Sequence, residues 1–174
     1  MRRPLTYPQL DENLVAVLVP LARELDGLVS AGSACTRERD EFNALAGTSI
    51  DEPLVFHFSG ACTAEDFVRD LLARKHVRDF AGLDDDDILD LLRSINIGAR
   101  SDKFPFWLEV LELNLPGAPI SDLVFYPERT LKAFGIADVQ SGELAPEDIL
   151  RLARSILPRA PVLLGLSTRD GFSR

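Results

Sequence analysis

The stretch that decides the fold is residues 11–30, DENLVAVLVPLARELDGLVS. Its large apolar side chains recur every three or four residues, which is the spacing of one face of an α-helix. Arg23, Glu24 and Asp26 supply the polar side. We therefore expect a helix over residues 11–30, which Pro20 kinks unless the helix begins close to that proline. The apolar positions are Leu14, Val17, Leu18, Leu21, Leu25, Leu28 and Val29.

Further helical patterns follow along the chain. Residues 36–45 predict a shorter helix that ends near Gly47. Thr63 is a good N-cap for a third helix, because its side-chain oxygen can accept a bond from a first-turn N–H group. The run Asp84–Asp87 directly precedes an apolar helical face, and Pro146 suits the first turn of a last helix. The apolar faces of these three helices contain Phe67, Leu71 and Leu72; Ile88, Leu89, Leu91, Leu92 and Ile95; and Ile149, Leu150, Leu152, Ile156 and Leu157.

Two segments favour strands instead. Residues 53–58, PLVFHF, combine β-branched and aromatic side chains between polar flanks, and residues 162–166 are apolar between Pro161 and a polar tail. The predicted fold class is mainly α, a helical bundle, with one or two short β-strands as the α+β alternative.

The composition restricts the function. A chain of 174 residues with 46% hydrophobic and 27% charged residues is long enough to bury a sizeable core. Its formal net charge of −9 argues against nucleic-acid binding, because an acidic surface repels phosphates. The apolar run 14–22 contains Pro20 and is shorter than the roughly 20 residues that span a bilayer. We expect a soluble cytoplasmic protein with no membrane or nucleic-acid partner.

The search for catalytic chemistry gives one weak candidate. His57 and Cys62 are the closest pair in sequence that could form a thiolate and its base. A core histidine and a small buried cysteine explain the same residues, and Cys35 lies in an unrelated context. The run Asp84–Asp87 lacks the spacing of a calcium loop, so helix capping explains it better than metal binding. No nucleotide, hydrolase or zinc motif occurs, and we expect no cofactor and no enzyme activity.

Residues 104–127, FPFWLEVLELNLPGAPISDLVFYP, contain the single Trp, one of the two Tyr and three Phe, and no Lys or Arg. Glu109, Glu112 and Asp122 carry its charge. Aromatic rings supply contact energy in protein interfaces, and carboxylates steer the approach of a basic partner. The segment therefore predicts binding to a cationic protein. Phe104 and its neighbours Phe106 and Trp107 are expected to hold the segment against the core.

Within this segment, residues 120–127, ISDLVFYP, resemble the S-D-L-I-Y-Y-P or S-D-L-I-F-Y-P motif of the colicin and pyocin nuclease immunity proteins. Residues 63–67, TAEDF, are similar to the T-E-A-E-F helix start of that family, and residues 145–149, APEDI, resemble the S-P-E-G-I start of its last helix. Gly171-Phe172 is similar to its closing G-F-K. The resemblance covers the C-terminal two-thirds of the chain, with Leu115-Pro116-Gly117 in place of the family's His-Pro.

The resemblance implies a small acidic helical protein that binds and inhibits a secreted bacterial toxin, a nuclease, with a basic domain. It implies an N-terminal helical extension at 1–60 and an immunity-protein-like helical domain at 61–174, either as separate parts or as one compact unit. The implied partner-binding residues are Glu109 and Glu112 on a specificity helix, and Asp122, Phe125 and Tyr126 on a toxin-contacting element. Two alternatives remain: a helical regulatory or adaptor module that uses the same residues, and an enzyme that uses Cys62 and His57.

Overall fold

The computed structural model of the protein describes residues 5–51, 53–56, 62–97, 103–135 and 144–156. The described chain is mainly helical, as predicted, and contains no strand in these ranges. The helices are α1 (Glu12–Ser30), α2 (Thr36–Ala46), α3 (Ala64–Arg74), α4 (Asp85–Ile97), α5 (Phe104–Asn114), α6 (Ile120–Phe125), α7 (Pro127–Ala133) and α8 (Pro146–Ile156), with 3-10 turns at Pro53–Phe56 and Val77–Phe80. None of the described helices combines the length and apolar character that crossing a membrane requires.

The chain forms two compact units that divide between His76 and Val77. The sequence placed the boundary at 60/61, before α3. In the structure, helix α3 packs against α1 and belongs to the N-terminal unit. The stretch 63–67 and the stretch 120–127, which both carry the family resemblance, therefore lie in different units.

In the N-terminal unit, α1 packs against α2, α3 and the first 3-10 turn. Asp11 caps α1 by accepting bonds from the backbone N–H groups of Asn13 and Leu14 at 2.9 and 3.3 Å. The helix continues through Pro20, which is exposed. Val17 was predicted in the buried stripe but is 50% exposed, because Val15 and the small Ala22 share the buried face with Leu18 and Leu25.

Residues 53–56 form a 3-10 turn and not part of the predicted strand 53–58, whose last two residues lie outside the described ranges. The reason is aromatic packing. Phe56 is fully buried, with ring centroids 5.1 Å from Phe42 and 5.5 Å from Phe67. The packing of this ring between two helices therefore outweighs the β-forming composition of the segment. The predicted strand at 162–166 also lies outside the described ranges.

The start of α3 follows the sequence prediction closely. The Thr63 hydroxyl accepts a bond from the Asp66 N–H at 3.1 Å, and the Asp66 carboxylate accepts one from the Thr63 N–H at 3.0 Å. This reciprocal pair is a capping box. The predicted capping of α4 is confirmed too, since Asp84 accepts a bond from the Asp87 N–H at 2.8 Å.

In the second unit, α4 and α8 lie antiparallel. Asp85 at the start of α4 pairs with Arg154 near the end of α8 at 2.7 Å, and Arg93 pairs with Glu147 near the start of α8 at 2.6 Å. Helix α5 packs on α4, on the second 3-10 turn and on α6, and α6 also contacts α8. The largest fully buried side chains of this unit are Phe106, Ile88, Leu91, Leu92, Leu111, Leu115, Ile120 and Leu123.

Candidate partner-binding surface

Helices α5 and α6 form a helical hairpin that carries all five predicted partner-binding residues. Phe104 at the start of α5 and Phe125 at the end of α6 have ring centroids 5.2 Å apart. After the turn at residues 115–119, α6 therefore returns toward the beginning of α5. Tyr126 lies at the end of this return, and the C-terminal half of α5 lies at the opposite end of the hairpin.

Phe125 and Tyr126 are the most exposed large apolar side chains of the second unit's described residues. They are 43% and 62% exposed, and their ring centroids are 6.4 Å apart. Leu113 on α5 is next, at 38%. The structure thus places both of these rings at the surface and not in the core.

The backbone of Tyr126 joins two short helices. Its N–H donates to the Asp122 carbonyl at 2.8 Å, which closes α6. Its carbonyl accepts bonds from the Thr130 N–H and hydroxyl, both at 3.2 Å, at the start of α7. Pro127 follows as the first residue of α7, where a missing N–H leaves no bond unmade. The ring therefore projects from a backbone that hydrogen bonds hold on both sides.

The other three aromatic residues of the segment hold it against the core, as predicted. Phe106 is fully buried, and its ring centroid lies 5.7 Å from that of Phe80 and 4.8 Å from that of Trp107. Trp107 is partly buried and packs edge-on against Phe80 at 5.4 Å. Phe104 is also partly buried, and it supports the Phe125 ring.

Asn114 fixes the C-terminal end of α5. Its side-chain oxygen accepts a bond from the Leu83 N–H at 2.9 Å, and its amide donates to the carbonyls of Phe80 and Val110, each at 2.8 Å. One side chain thus ties α5 to the turn that precedes α4. No local sequence pattern predicts this contact, because the residues it joins are 31 and 34 positions apart.

The carboxylates lie along the solvent side of the hairpin. Glu109 and Glu112 are three residues apart on α5, so their side chains are neighbours on the helix surface. Glu112 is exposed and Glu109 partly so. Asp122 is exposed one turn before Phe125 on α6. Glu112 lies about 12 Å along the helix axis from Phe104, so an interface of standard size, about 800 Å² on each partner, is wide enough to include both ends of the hairpin.

Helix α7 places further charges next to Tyr126, beyond the five predicted residues. Glu128, Arg129 and Lys132 are exposed, whereas Thr130 and Leu131 are buried. The signal for this helix was present in the sequence. Pro127 suits a first helical position, and residues 127–133, PERTLKA, place polar side chains on one side of Thr130 and Leu131.

Cys62, the one residue of the Cys62 and His57 pair that the structure describes, does not support a catalytic role for the pair. Cys62 is exposed, not buried as one interpretation had it, and His57 lies outside the described ranges. Partial desolvation and the nearby carboxylates of Asp66 and Asp70 raise the pKa of the Cys62 thiol. A raised pKa keeps the thiol protonated, which is the opposite of what a nucleophile needs. Within the described ranges, no three His, Cys, Asp or Glu side chains come together as a metal site would require.

Comparison with known proteins assigns no family. No protein-family model matches the chain, and no curated protein or solved structure matches it. The resemblance to the nuclease immunity proteins therefore rests on the quoted residues alone.

Proposed function

We propose that this protein is an immunity protein, which binds a cognate secreted bacterial toxin in the cytoplasm and inhibits it stoichiometrically without catalysing a reaction. The toxin domain is basic, and a nuclease fits best because such enzymes present cations to nucleic acid. The binding site is the acidic–aromatic surface, which we define as Glu109, Glu112, Asp122, Phe125 and Tyr126.

The observation that carries this proposal is the joint exposure of Phe125 and Tyr126, at 43% and 62%. Two neighbouring rings on the surface of a folded unit leave apolar area in water that a partner can bury. Tyrosine combines a large ring with a hydroxyl that can still form a hydrogen bond at an interface. The hydrogen-bonded backbone of Tyr126 reduces the entropy lost when the ring is immobilised on binding.

The charge of the hairpin favours a cationic partner. Helices α5 and α6 contain Glu109, Glu112 and Asp122 and no Lys or Arg. Carboxylates of this kind increase the association rate of a basic protein and discriminate against acidic ones. The formal net charge of −9 acts in the same direction at long range.

The test uses the toxin domain of a large secreted protein encoded beside this gene. We expect a one-to-one complex by calorimetry and loss of the toxin's activity when the two are mixed. Tyr126→Ala should bind about 30-fold more weakly, mainly through faster dissociation, as a central aromatic contact does. Glu109→Lys should mainly slow association and change its salt dependence.

Leu45→Ala is the matched control, because Leu45 is 46% exposed and lies in the N-terminal unit. It should bind as tightly as the wild type. If the neighbouring toxin domain forms no complex, or if Tyr126→Ala and Glu109→Lys both behave as the wild type, the proposed function is wrong. A complex that leaves the toxin fully active would favour the adaptor module instead.

A further inference from the structure

The charges of the second unit's hairpin and the following helix divide by sign at Tyr126. On the N-terminal side, α5 and α6 carry Glu109, Glu112 and Asp122 and no cation within their bounds, although Lys103, which is not free of interactions, directly precedes α5. On the C-terminal side, α7 carries two cations, Arg129 and Lys132, against one carboxylate, Glu128. Tyr126 caps both α6 and α7, so the most exposed ring lies at the boundary between the two signs.

The two cations of α7 have no partner among the described residues, although both are exposed. Three arginines elsewhere in the same unit are paired: Arg93 with Asp90 and Glu147, Arg151 with Asp148, and Arg154 with Asp85. Since Thr130 and Leu131 are buried, Arg129 and Lys132 share the outward face of α7 with Glu128. Their charges are therefore available to a partner that contacts Tyr126.

We propose that the toxin surface bound by Phe125 and Tyr126 is divided in the same way. It presents cationic groups to α5 and α6, an apolar socket to the two rings, and at least one carboxylate to Arg129 and Lys132. This inference rests on the proposed function, since the occupant is the same toxin domain. A uniformly basic surface would be repelled by the α7 cations, whereas a carboxylate would form ion pairs with them and fix the orientation of the complex.

The decisive variants are Arg129→Glu and Lys132→Glu. Each makes the protein more acidic, so a uniformly basic partner would bind both of them more tightly. The divided surface predicts the reverse: each should bind the toxin domain about tenfold more weakly, because an attraction becomes a like-charge repulsion. The measurement is the dissociation constant and association rate at low and physiological salt, with circular dichroism to verify that each variant is folded.

Arg23→Glu is the matched control for these variants. Arg23 lies on α1 in the N-terminal unit, is exposed and has no ion-pair partner within the described ranges. The substitution alters net charge by the same amount, so it reports the long-range effect alone. We expect its affinity to equal or slightly exceed that of the wild type.

The outcomes separate this inference from the proposed function. In one outcome, Tyr126→Ala weakens binding while Arg129→Glu and Lys132→Glu leave it unchanged or strengthen it. This result would overturn the divided surface and leave the proposed function standing. Absence of any complex would overturn both. A second copy of the chain is the other possible occupant, and sedimentation of the protein alone would detect it. The inference would also be overturned by a dimer that dissociates in Arg129→Glu and forms again when Asp122→Arg is combined with Arg129→Glu.

Discussion

Arg69 on α3 forms a bidentate ion pair with Glu12, the first residue of α1. Its two terminal nitrogens donate to the two carboxylate oxygens at 2.9 and 2.7 Å, across 57 residues of sequence. The Nε–H of the same guanidinium donates to Glu65 at 3.0 Å. These hydrogen bonds lower the pKa of Glu12. One side chain thus links the beginnings of two helices in the N-terminal unit.

Replacement of Arg69 should weaken this link. We expect Arg69→Ala to lower the urea midpoint of the N-terminal unit. Arg69→Lys should recover only part of this loss, because a lysine cannot reproduce the planar bidentate geometry of the guanidinium. The loss should shrink in 1 M salt, since Glu12 and Arg69 are solvent-accessible. Arg23→Ala, which removes an exposed cation from α1, is the control. Equal midpoints for the Arg69→Ala and Arg23→Ala proteins would show that the link contributes nothing.

Asp66 and Asp70 on α3 should respond to pH in opposite directions. Hydrogen bonds from the Thr63 hydroxyl and N–H lower the pKa of Asp66 from its usual value of 3.8. Its contribution to stability is therefore present above that value and is lost as the pH falls toward the lowered pKa. For Asp70, burial raises the pKa despite the nearby Arg74, so ionisation of Asp70 opposes folding at neutral pH and protonation relieves this.

Replacement of each aspartate by asparagine tests these two opposite effects of pH on stability. Asp66→Asn should destabilise the protein at pH 7, and the difference from wild type should decrease below pH 3.8. Asp70→Asn should stabilise it at pH 7, because one buried Asp70 carboxylate oxygen has no hydrogen-bond partner, and the gain should vanish in acid. Urea titrations followed by circular dichroism at pH 7 and pH 3 measure both. A loss of stability in Asp70→Asn at pH 7 would mean that its pair with Arg74 outweighs the burial of its charge.

Asn114 should be among the most sensitive polar positions of the second unit. Asn114→Ala removes one acceptor and two donated bonds and leaves the Leu83 N–H and the Phe80 carbonyl without this partner. We expect a loss of about 1–3 kcal/mol in the free energy of unfolding. The fluorescence of Trp107, the only tryptophan, reports this unit. Asn13→Ala, at an exposed position, is the control and should lie within about 0.5 kcal/mol of wild type.

Phe106 and Phe125 should separate stability from binding. Phe106 is fully buried between Phe80 and Trp107, so Phe106→Ala should reduce the free energy of unfolding by about 3–5 kcal/mol. Phe125 is 43% exposed, and its ring centroid lies 5.2 Å from that of Phe104, so Phe125→Ala should reduce the free energy of unfolding by about 1 kcal/mol or less. Denaturant titrations give both numbers. A loss of several kcal/mol in Phe125→Ala would place that ring in the core.

Local patterns predicted most of the helices because they act over a few residues. The apolar repeat at 11–30 and the capping residues Thr63 and Asp84 correspond to the observed starts of α1, α3 and α4. Contacts between distant residues were not predictable in this way. The packing of Phe56 against Phe42 and Phe67 converts an expected strand into a turn, and the contact of α3 with α1 moves the unit boundary to 76/77.

The acidic–aromatic surface shows the same limit. Composition and motif identified its residues, but whether Phe125 and Tyr126 face water depends on how α6 returns along α5, which no local pattern specifies. The α7 cations follow Pro127, the last residue of the motif, and therefore lie outside the pattern that identified the other residues.

The antiparallel arrangement of α4 and α8 has a consequence for biosynthesis. Asp85 and Arg154 are 69 residues apart, so the last ion pair of the second unit cannot form until residue 154 has left the ribosome. The N-terminal unit comprises Thr6–His76, so all of its own residues have been made once His76 has been added. During translation the N-terminal unit can therefore assemble early, whereas the unit that bears Tyr126 stays open to chaperones and proteases until α8 has been made.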